Sequence, residues 1–158
     1  MRARKNIYGD NMKVLQAVQA DTVLWAAILL GDSKPSIEWL NTPTTNFWIW
    51  ENALQPEIVK GIFVSFPIAT NALAVIDREV IFYLCSTPLD CRNLSLRTEL
   101  ISRLGGSAPL IAALNAAMKR KATNFERIIA IGAGTPVSPA TADYDPGEDS
   151  SVVVFDTL

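Results

Sequence analysis

The sequence predicts a mainly α-helical protein, a small helical bundle with an extended C-terminal tail that ends in a short β-prone segment. Apolar residues recur at helical spacing through most of the first 131 residues, and glycine, proline and capping residues separate these runs. From Gly132 onward the chain is instead rich in Gly, Pro, Ser, Thr and Asp. We therefore predict a helical body, residues 1–131, and an extended tail or arm, residues 132–158.

Size and composition limit the class of protein. The 158 residues can enclose a real core, and 49% hydrophobic with 19% charged residues is typical of a globular domain. The net charge of −2 gives no general attraction to nucleic acid or to an anionic membrane. No secretory signal is recognisable, and the longest strongly apolar run, Val23–Leu30, is far short of the roughly 20 residues that a bilayer span needs. Cys85 and Cys91 form no CxxC pair and are predicted to be free buried thiols. We expect a soluble protein made in the cytoplasm, with no membrane partner.

The first predicted helix runs from about Asn11 to Leu30, with a possible division at Asp21–Thr22. Gly31–Asp32 ends this run, because glycine readily takes the left-handed conformation that follows a helix. Pro35–Ser36 then begins a short helix, since proline is well suited to the first helical turn. Asn41–Asn46 is predicted to be a loop because of its turn-forming residues.

Phe47–Trp50 is the most aromatic stretch, and its alternation would also suit a short strand. We interpret it as an aromatic anchor that leads into the helix beginning at Pro56. Trp48 and Trp50 are candidate interface residues because tryptophan is enriched in binding hot spots; the alternative is that both lie in the core. A further long helix is predicted from Asn71 to about Leu84, although its Val and Ile also favour strands.

The last helical region begins with the apolar face of Leu96–Leu104, which Gly105–Gly106 interrupts. Ser107 can cap the next helix, and the basic residues Lys119–Lys121 at its C-terminal end complement the helix dipole. Thr123–Glu126 fits a capping box, in which threonine and glutamate each satisfy a backbone N–H of the first turn.

Charge is unevenly distributed along the chain. Seven basic residues and only two acids lie from Arg92 to Arg127, whereas five acids and no base lie from Gly132 to the end. This pattern predicts charge-complementary contacts within or between subunits, or a solvated helix face beside a solubilising tail. Within the basic region the candidate contact residues, which could also touch phosphates, are Lys119, Arg120, Lys121 and Arg127.

A short β-prone run stands in the tail and supplies further candidate interface residues: Val152, Val153, Val154 and Phe155. Such a run cannot bury itself alone and needs the edge of another strand, for example one on a neighbouring subunit.

No catalytic or ligand-binding constellation is recognisable. The sequence contains no histidine, which removes the commonest general base and metal ligand. Gly132–Thr135 lacks the preceding strand and the following lysine of a phosphate-binding loop. Asp143, Asp145 and Asp149 lack the glycine and the glutamate that a calcium-binding loop would place after them. We expect no catalytic residue, no metal site and no cofactor, and therefore a protein that is not an enzyme.

The motif K-R-x-A-T-x-x-E-R at residues 119–127 is followed by G-x-G-T-x-x-S-P-A-T at residues 132–141. Together they resemble an uncharacterised family of tailed-bacteriophage and prophage structural proteins. Glu38–Asn41, Phe47–Trp50 and Asp90–Arg97 fall in the order that this family would predict. The resemblance covers most of the chain loosely and residues 119–141 more sharply.

The resemblance implies a component of the phage virion that is made in the bacterial host cytoplasm. With a helical body, a long tail and no recognisable chemistry, we expect a head-to-tail connector (adaptor) subunit that forms a homo-oligomeric ring on the portal. Its partners would be the portal protein and tail proteins, with packaged DNA as a weaker candidate. The alternatives are a capsid decoration or cement protein, and a non-virion phage accessory protein that binds DNA or a host factor.

Overall fold

The computed structural model describes the backbone of residues 7–143 and the side chains of residues 12–143. Within that range the chain is mainly helical, as predicted, with a small two-stranded antiparallel sheet. The elements in chain order are α1 Ile7–Ala20, α2 Thr22–Leu29, α3 Lys34–Asn41, β1 Pro43–Trp50, α4 Pro56–Ser65, α5 Pro67–Ala72, α6 Val75–Leu84, α7 Leu94–Ser102, α8 Ala108–Ala117, β2 Lys119–Thr123 and α9 Asn124–Ile129. The β-prone run Val152–Phe155 lies outside the described residues.

The chain divides into two compact units. Unit 1 comprises Met1–Phe47 and Lys121–Leu158, and unit 2 comprises Trp48–Arg120. The chain therefore passes from one unit to the other twice, once within β1 and once within β2.

Unit 1 is built from α1, α2, α3 and α9, which pack against one another. Its buried apolar residues on these helices are Val14, Val18, Leu24, Ile28, Leu40 and Ile129. The first predicted helix is divided at Asp21, whose Oδ1 accepts hydrogen bonds from the backbone N–H groups of Val23 and Leu24 at 3.0 and 3.1 Å. This cap starts a new helix, because it satisfies donors that a continuous helix would satisfy with its own carbonyls.

No single helix in the described part of the chain is long and apolar enough to cross a membrane. Met12–Ala20 and Thr22–Leu29 reach that length and composition only together, across a bend of 108°.

Unit 2 contains α4 to α8 around one apolar cluster. The fully buried large side chains of this cluster include Leu54, Ile81, Leu100, Leu104, Leu110, Leu114 and Met118. Both free cysteines, Cys85 and Cys91, lie in the same cluster. At its surface Arg103, the C-cap residue of α7, bonds Asp77 of α6 at 3.0 Å and Glu99 of α7 at 2.7 Å. This pair of contacts ties the two helices together.

The predicted loop Asn41–Asn46 and the predicted aromatic anchor Phe47–Trp50 are wrong, because most of both belongs to strand β1. Lys119–Lys121 do not end a helix either: α8 stops at Ala117, and they begin β2. Backbone bonds join the two strands at both ends, from Asn124 N–H to the Thr42 carbonyl at 3.0 Å and from Glu51 N–H to the Met118 carbonyl at 2.8 Å.

Strand β1 has eight residues and β2 has only five, yet backbone hydrogen bonds connect the residues that flank the two strands at both ends. β1 must therefore bulge between its ends, as strands do when one side of a ladder carries extra residues. The buried Thr44 hydroxyl lies at this irregularity, 2.9 Å from the Ala122 carbonyl oxygen and 3.1 Å from that of Phe47.

The helix predicted over Asn71–Leu84 begins later, at Val75, and Asn71 belongs to the separate short helix α5. Leu73 and Ala74 are extended between the two helices, with ψ angles of 146° and 143°. Leu73 is only 7% exposed and belongs to the unit 2 cluster. We attribute the break to this burial, because tertiary packing overrides local helix propensity.

Other predicted boundaries are confirmed. α4 begins at Pro56, and Gly105 and Gly106 take left-handed φ angles of +57° and +73° between α7 and α8. The capping box also forms at the start of α9, with both of its reciprocal hydrogen bonds present. Ser107 is the N-cap residue of α8, but its side chain makes no capping bond.

The residues after α9 fold back on unit 1. Ile131 and Thr141 exchange two backbone hydrogen bonds of 2.9 Å, which closes the intervening segment into a loop. Gly134 in this loop has φ +69°, and a Cβ atom at this position would lie 2.2 Å from Cε2 of Phe47. Ala140 and Ala142 are buried. The first part of the predicted tail is thus held against unit 1.

Candidate functional site

The structure places five of the predicted interface residues on the paired strands. Trp48 and Trp50 lie on β1, and the three basic residues from Lys119 to Lys121 lie on β2. Arg127 lies one element further along, in the last turn of α9, where it is exposed. The sequence analysis named these residues as separate interface candidates and did not predict that the segments around residues 48 and 120 pair.

Trp50 is half-buried and already engaged within unit 2. The guanidinium carbon of Arg97 lies 3.7 Å from the centre of a Trp50 ring, which is cation–π geometry. The same guanidinium donates a hydrogen bond to the Cys91 carbonyl oxygen. Burial lowers the pKa of Arg97 from its usual value. These contacts give Trp50 a packing role within unit 2.

The basic residues of β2 are also engaged. Arg120 Nε lies 3.1 Å from Glu51 Oε2, with side chains that are 31% and 21% exposed. Lys119 and Lys121 each take part in at least one further interaction. A phosphate-binding surface would present its cations to solvent, whereas Arg120 is half-covered and paired with a carboxylate.

Glu126 is a buried charged residue that sequence reasoning recognised only as a cap. Its side chain is 1% exposed, and its Oε2 accepts a hydrogen bond from the Thr123 N–H at 2.8 Å. Thr123 Oγ1 accepts from the Glu126 N–H at 3.2 Å in return. Asn124 adds a bond from its side-chain amide to the Trp39 carbonyl at 2.9 Å. The start of α9 is therefore a hydrogen-bonded anchor for the end of α3.

An open groove of about 360 Å³ lies beside Trp50 in unit 2. Its lining residues are Trp50, Arg97, Thr98, Ile101, Ser102 and Asn115. Arg97 is its one titratable lining residue and is already bonded to Trp50 and Cys91. The groove thus offers no acid–base pair of the kind that proton-transfer chemistry uses.

Among residues 7–143 no group of three or more His, Cys, Asp or Glu side chains is placed to hold a metal ion. The buried thiols are also poorly suited to nucleophilic chemistry, because the thiolate is the reactive form. Burial raises the pKa of Cys85 from 9.0 to about 11. Burial, followed by the charges of Glu51 and Asp90, raises the pKa of Cys91 to about 12.

We expect both thiols to react with a thiol reagent at least about 100-fold more slowly in the folded protein than in urea at pH 8, because a pKa two units higher leaves about 100-fold less thiolate. The burial also makes stability depend on pH. A raised folded-state pKa contributes stability that is present below pH 9.0 and is lost as the pH rises through about 11. Stopped-flow labelling with and without urea measures the first effect; equal rates would contradict it.

The most extensive unexplained feature is apolar surface on the outer faces of helices. In unit 2, Ile68 on α5 is 87% exposed, and Val64 on α4 is 79% exposed. In α6, Val75, Ile76 and Tyr83 are each at least 60% exposed. In unit 1, Val23, Leu29 and Leu30 of the α2 region are exposed to a similar degree. The sequence analysis did not predict this surface.

Comparisons of the chain with models of protein families, with curated protein sequences and with solved structures found no match.

Proposed function

We propose that this protein is a non-catalytic structural subunit of a tailed-phage virion, and specifically a head-to-tail connector (adaptor) that forms a ring on the portal. The observation that carries the proposal is the exposed apolar surface of α2 and of α4 to α6. A subunit that works inside an assembly buries such surface against its neighbours, whereas a monomer would leave it in water.

The extent of this surface supports an assembly. A monomeric soluble protein rarely exposes a contiguous apolar patch larger than a few hundred Å². Here helix α6 exposes large apolar residues on the side opposite Ile81, which is 1% exposed. A helix that is apolar all round is expected inside a larger structure. Helix α2 is of this kind, because it has no charged residue and carries the buried Leu24 and Ile28 opposite its exposed apolar ones.

The phage setting rests on the resemblance at residues 119–141. The loop closed by Ile131 and Thr141 lies within those residues and is anchored on unit 1 by Gly134 and Ala140. The acidic residues that follow suit contacts with basic neighbours, such as the portal or a second subunit. The alternative is a capsid decoration protein, which would also have no catalytic role. The DNA-binding accessory alternative has less support, because Arg120 is paired with Glu51.

The test is the copy number of the protein in purified particles, measured by mass spectrometry against the major capsid protein. We expect one ring of subunits per particle. A number comparable with that of the major capsid protein would indicate decoration, and absence from the particles would refute both structural roles.

The same measurement on a variant lacking residues 144–158 tests the tail. We expect the variant to fold, because the deletion spares the buried Ala140 and Ala142, and to be lost from particles. A full-length variant in which Val152–Phe155 are replaced by serine is the matched control for strand addition, because it retains every acidic residue. Normal incorporation of both variants would exclude a role for the tail.

A further inference from the structure

The outer face of α6 carries a stripe of exposed residues, apolar except for Glu79, which we call the α6 stripe: Val75, Ile76, Glu79, Phe82 and Tyr83. The other four residues follow Val75 by one, four, seven and eight positions. At 100° per residue, all five therefore lie within an arc of about 120° on one side of the helix. Ile81 points to the opposite side and is 1% exposed. The four apolar members expose between 45% and 78% of their surface.

Helix α2 and its C-cap residue carry a second stripe with the same spacing, the α2 stripe: Thr22, Val23, Ala26, Leu29 and Leu30. All five residues are exposed. Val23, Leu29 and Leu30 expose 74%, 63% and 87% of their surface, respectively. Leu24 and Ile28, on the opposite side, are 8% and 7% exposed. The two stripes therefore match in length and in register along their helices.

We infer that the α2 stripe of one subunit packs on the α6 stripe of the next copy of this chain; the inference rests on the proposed ring. A contact between two different surfaces of identical subunits is heterologous, and repetition of such a contact closes into a ring when the rotation between subunits permits it. One kind of contact, repeated, would cover both stripes on every subunit.

The area of the stripes is suitable for such a contact. Their large apolar members together expose on the order of 800 Å², if an aromatic side chain carries roughly 150–250 Å² and a Val, Leu or Ile side chain lies near the lower end of that range. A standard interface buries about 1,600 Å² in total, with an apolar centre and a polar rim. The two stripes thus have the size of the apolar centre of one interface.

Charge and side-chain size favour the pairing of unlike stripes. Glu79 lies in the middle of the α6 stripe, so a two-fold pairing of two α6 stripes would bring two carboxylates together without a cation. The α2 stripe carries no charge, and its central residue is the small Ala26, which leaves room for larger side chains opposite.

The test uses disulfide trapping between two full-length variants, Leu30→Cys with one affinity tag and Tyr83→Cys with another. The native Cys85 and Cys91 stay silent because they are 1% and 0% exposed. After mixing and mild oxidation we expect a disulfide-linked heterodimer in at least tenfold excess over either homodimer. A chain that carries both substitutions is expected to give a ladder of covalent oligomers.

The matched control is Leu94→Cys mixed with Leu30→Cys, because Leu94 is 66% exposed and lies on α7, outside both stripes. No heterodimer is expected from this pair. Failure of Leu30→Cys and Tyr83→Cys to cross-link, equal amounts of homodimer, or a disulfide confined to single doubly substituted chains would overturn the inference. The copy number in particles is independent of this outcome, so the proposed function can stand when the stripe contact fails.

Discussion

Replacement of Gly134 by alanine is expected to lower the free energy of unfolding by about 2–4 kcal/mol, from backbone strain of about 1–2 kcal/mol and overpacking of about 1–3 kcal/mol. The strain arises because φ is +69°, and the overpacking because the new Cβ would lie 2.2 Å from Cε2 of Phe47. Both the aromatic ring and the loop would have to move. Urea unfolding followed by circular dichroism measures the change.

Gly106→Ala is the matched control, since Gly106 has a similar φ of +73° but nothing within 4 Å of the position of its Cβ. We expect it to cost about 1 kcal/mol, which is the strain alone. The difference between the two variants isolates the contact with Phe47. Combining Gly134→Ala with Phe47→Ala should cost less than the sum of the single changes, because the second change removes the clash. Equal losses for both glycine variants would refute the close approach.

Replacement of Glu126 by alanine is expected to cost about 2–3 kcal/mol, since it removes the glutamate half of the capping box and leaves a donor unpaired. The unpaired donor is the Thr123 N–H, which now bonds Glu126 Oε2 at 2.8 Å. Loss of a side chain that is 1% exposed also leaves a cavity in unit 1. Thermal or urea unfolding measures the loss.

Two further substitutions separate the causes of this loss. Glu126→Gln retains an oxygen that can accept from Thr123 and should lose less than half as much. Asn93→Ala removes an exposed cap, a bond of 3.2 Å to the Leu96 N–H, and should cost about 1 kcal/mol. If Glu126→Ala costs no more than Asn93→Ala, burial of Glu126 adds nothing to the capping.

Local signals predicted the helical elements well. The cap at Asp21, the start of α4 at Pro56, the break at Gly105–Gly106 and the capping box at Thr123 are each determined by residues within one turn of the boundary. Such boundaries depend on backbone groups that nearby side chains satisfy or fail to satisfy. The helical class of the fold followed from them.

Long-range pairing accounts for the errors. Lys119–Lys121 follow a helix directly, and nothing within that segment indicates that it pairs with a strand near Trp48. Strand formation depends on the partner strand more than helix formation depends on its neighbours. The contact between Gly134 and Phe47 likewise joins distant parts of the chain.

The exposed stripes were missed for a different reason. Helical periodicity identifies residues that can face a core, and it assigns the large apolar residues of a helix to that face. In α2 and α6 such residues lie on both faces, so periodicity cannot tell which side meets the subunit's own core. Only the packing of Leu24, Ile28 and Ile81 distinguishes the inner face from the outer one.

The division of the chain into units bears on the order of events during synthesis. Unit 2 is one uninterrupted segment, whereas unit 1 combines residues before Trp48 with residues after Arg120. As the ribosome delivers the chain from its N-terminal end, residues 48–120 can collapse around Leu110 and Leu114 before α9 exists. Helices α1 to α3 must wait for α9 and the loop around Gly134. During that interval their apolar residues have no complete core, and this is the period in which nascent chains depend most on chaperones.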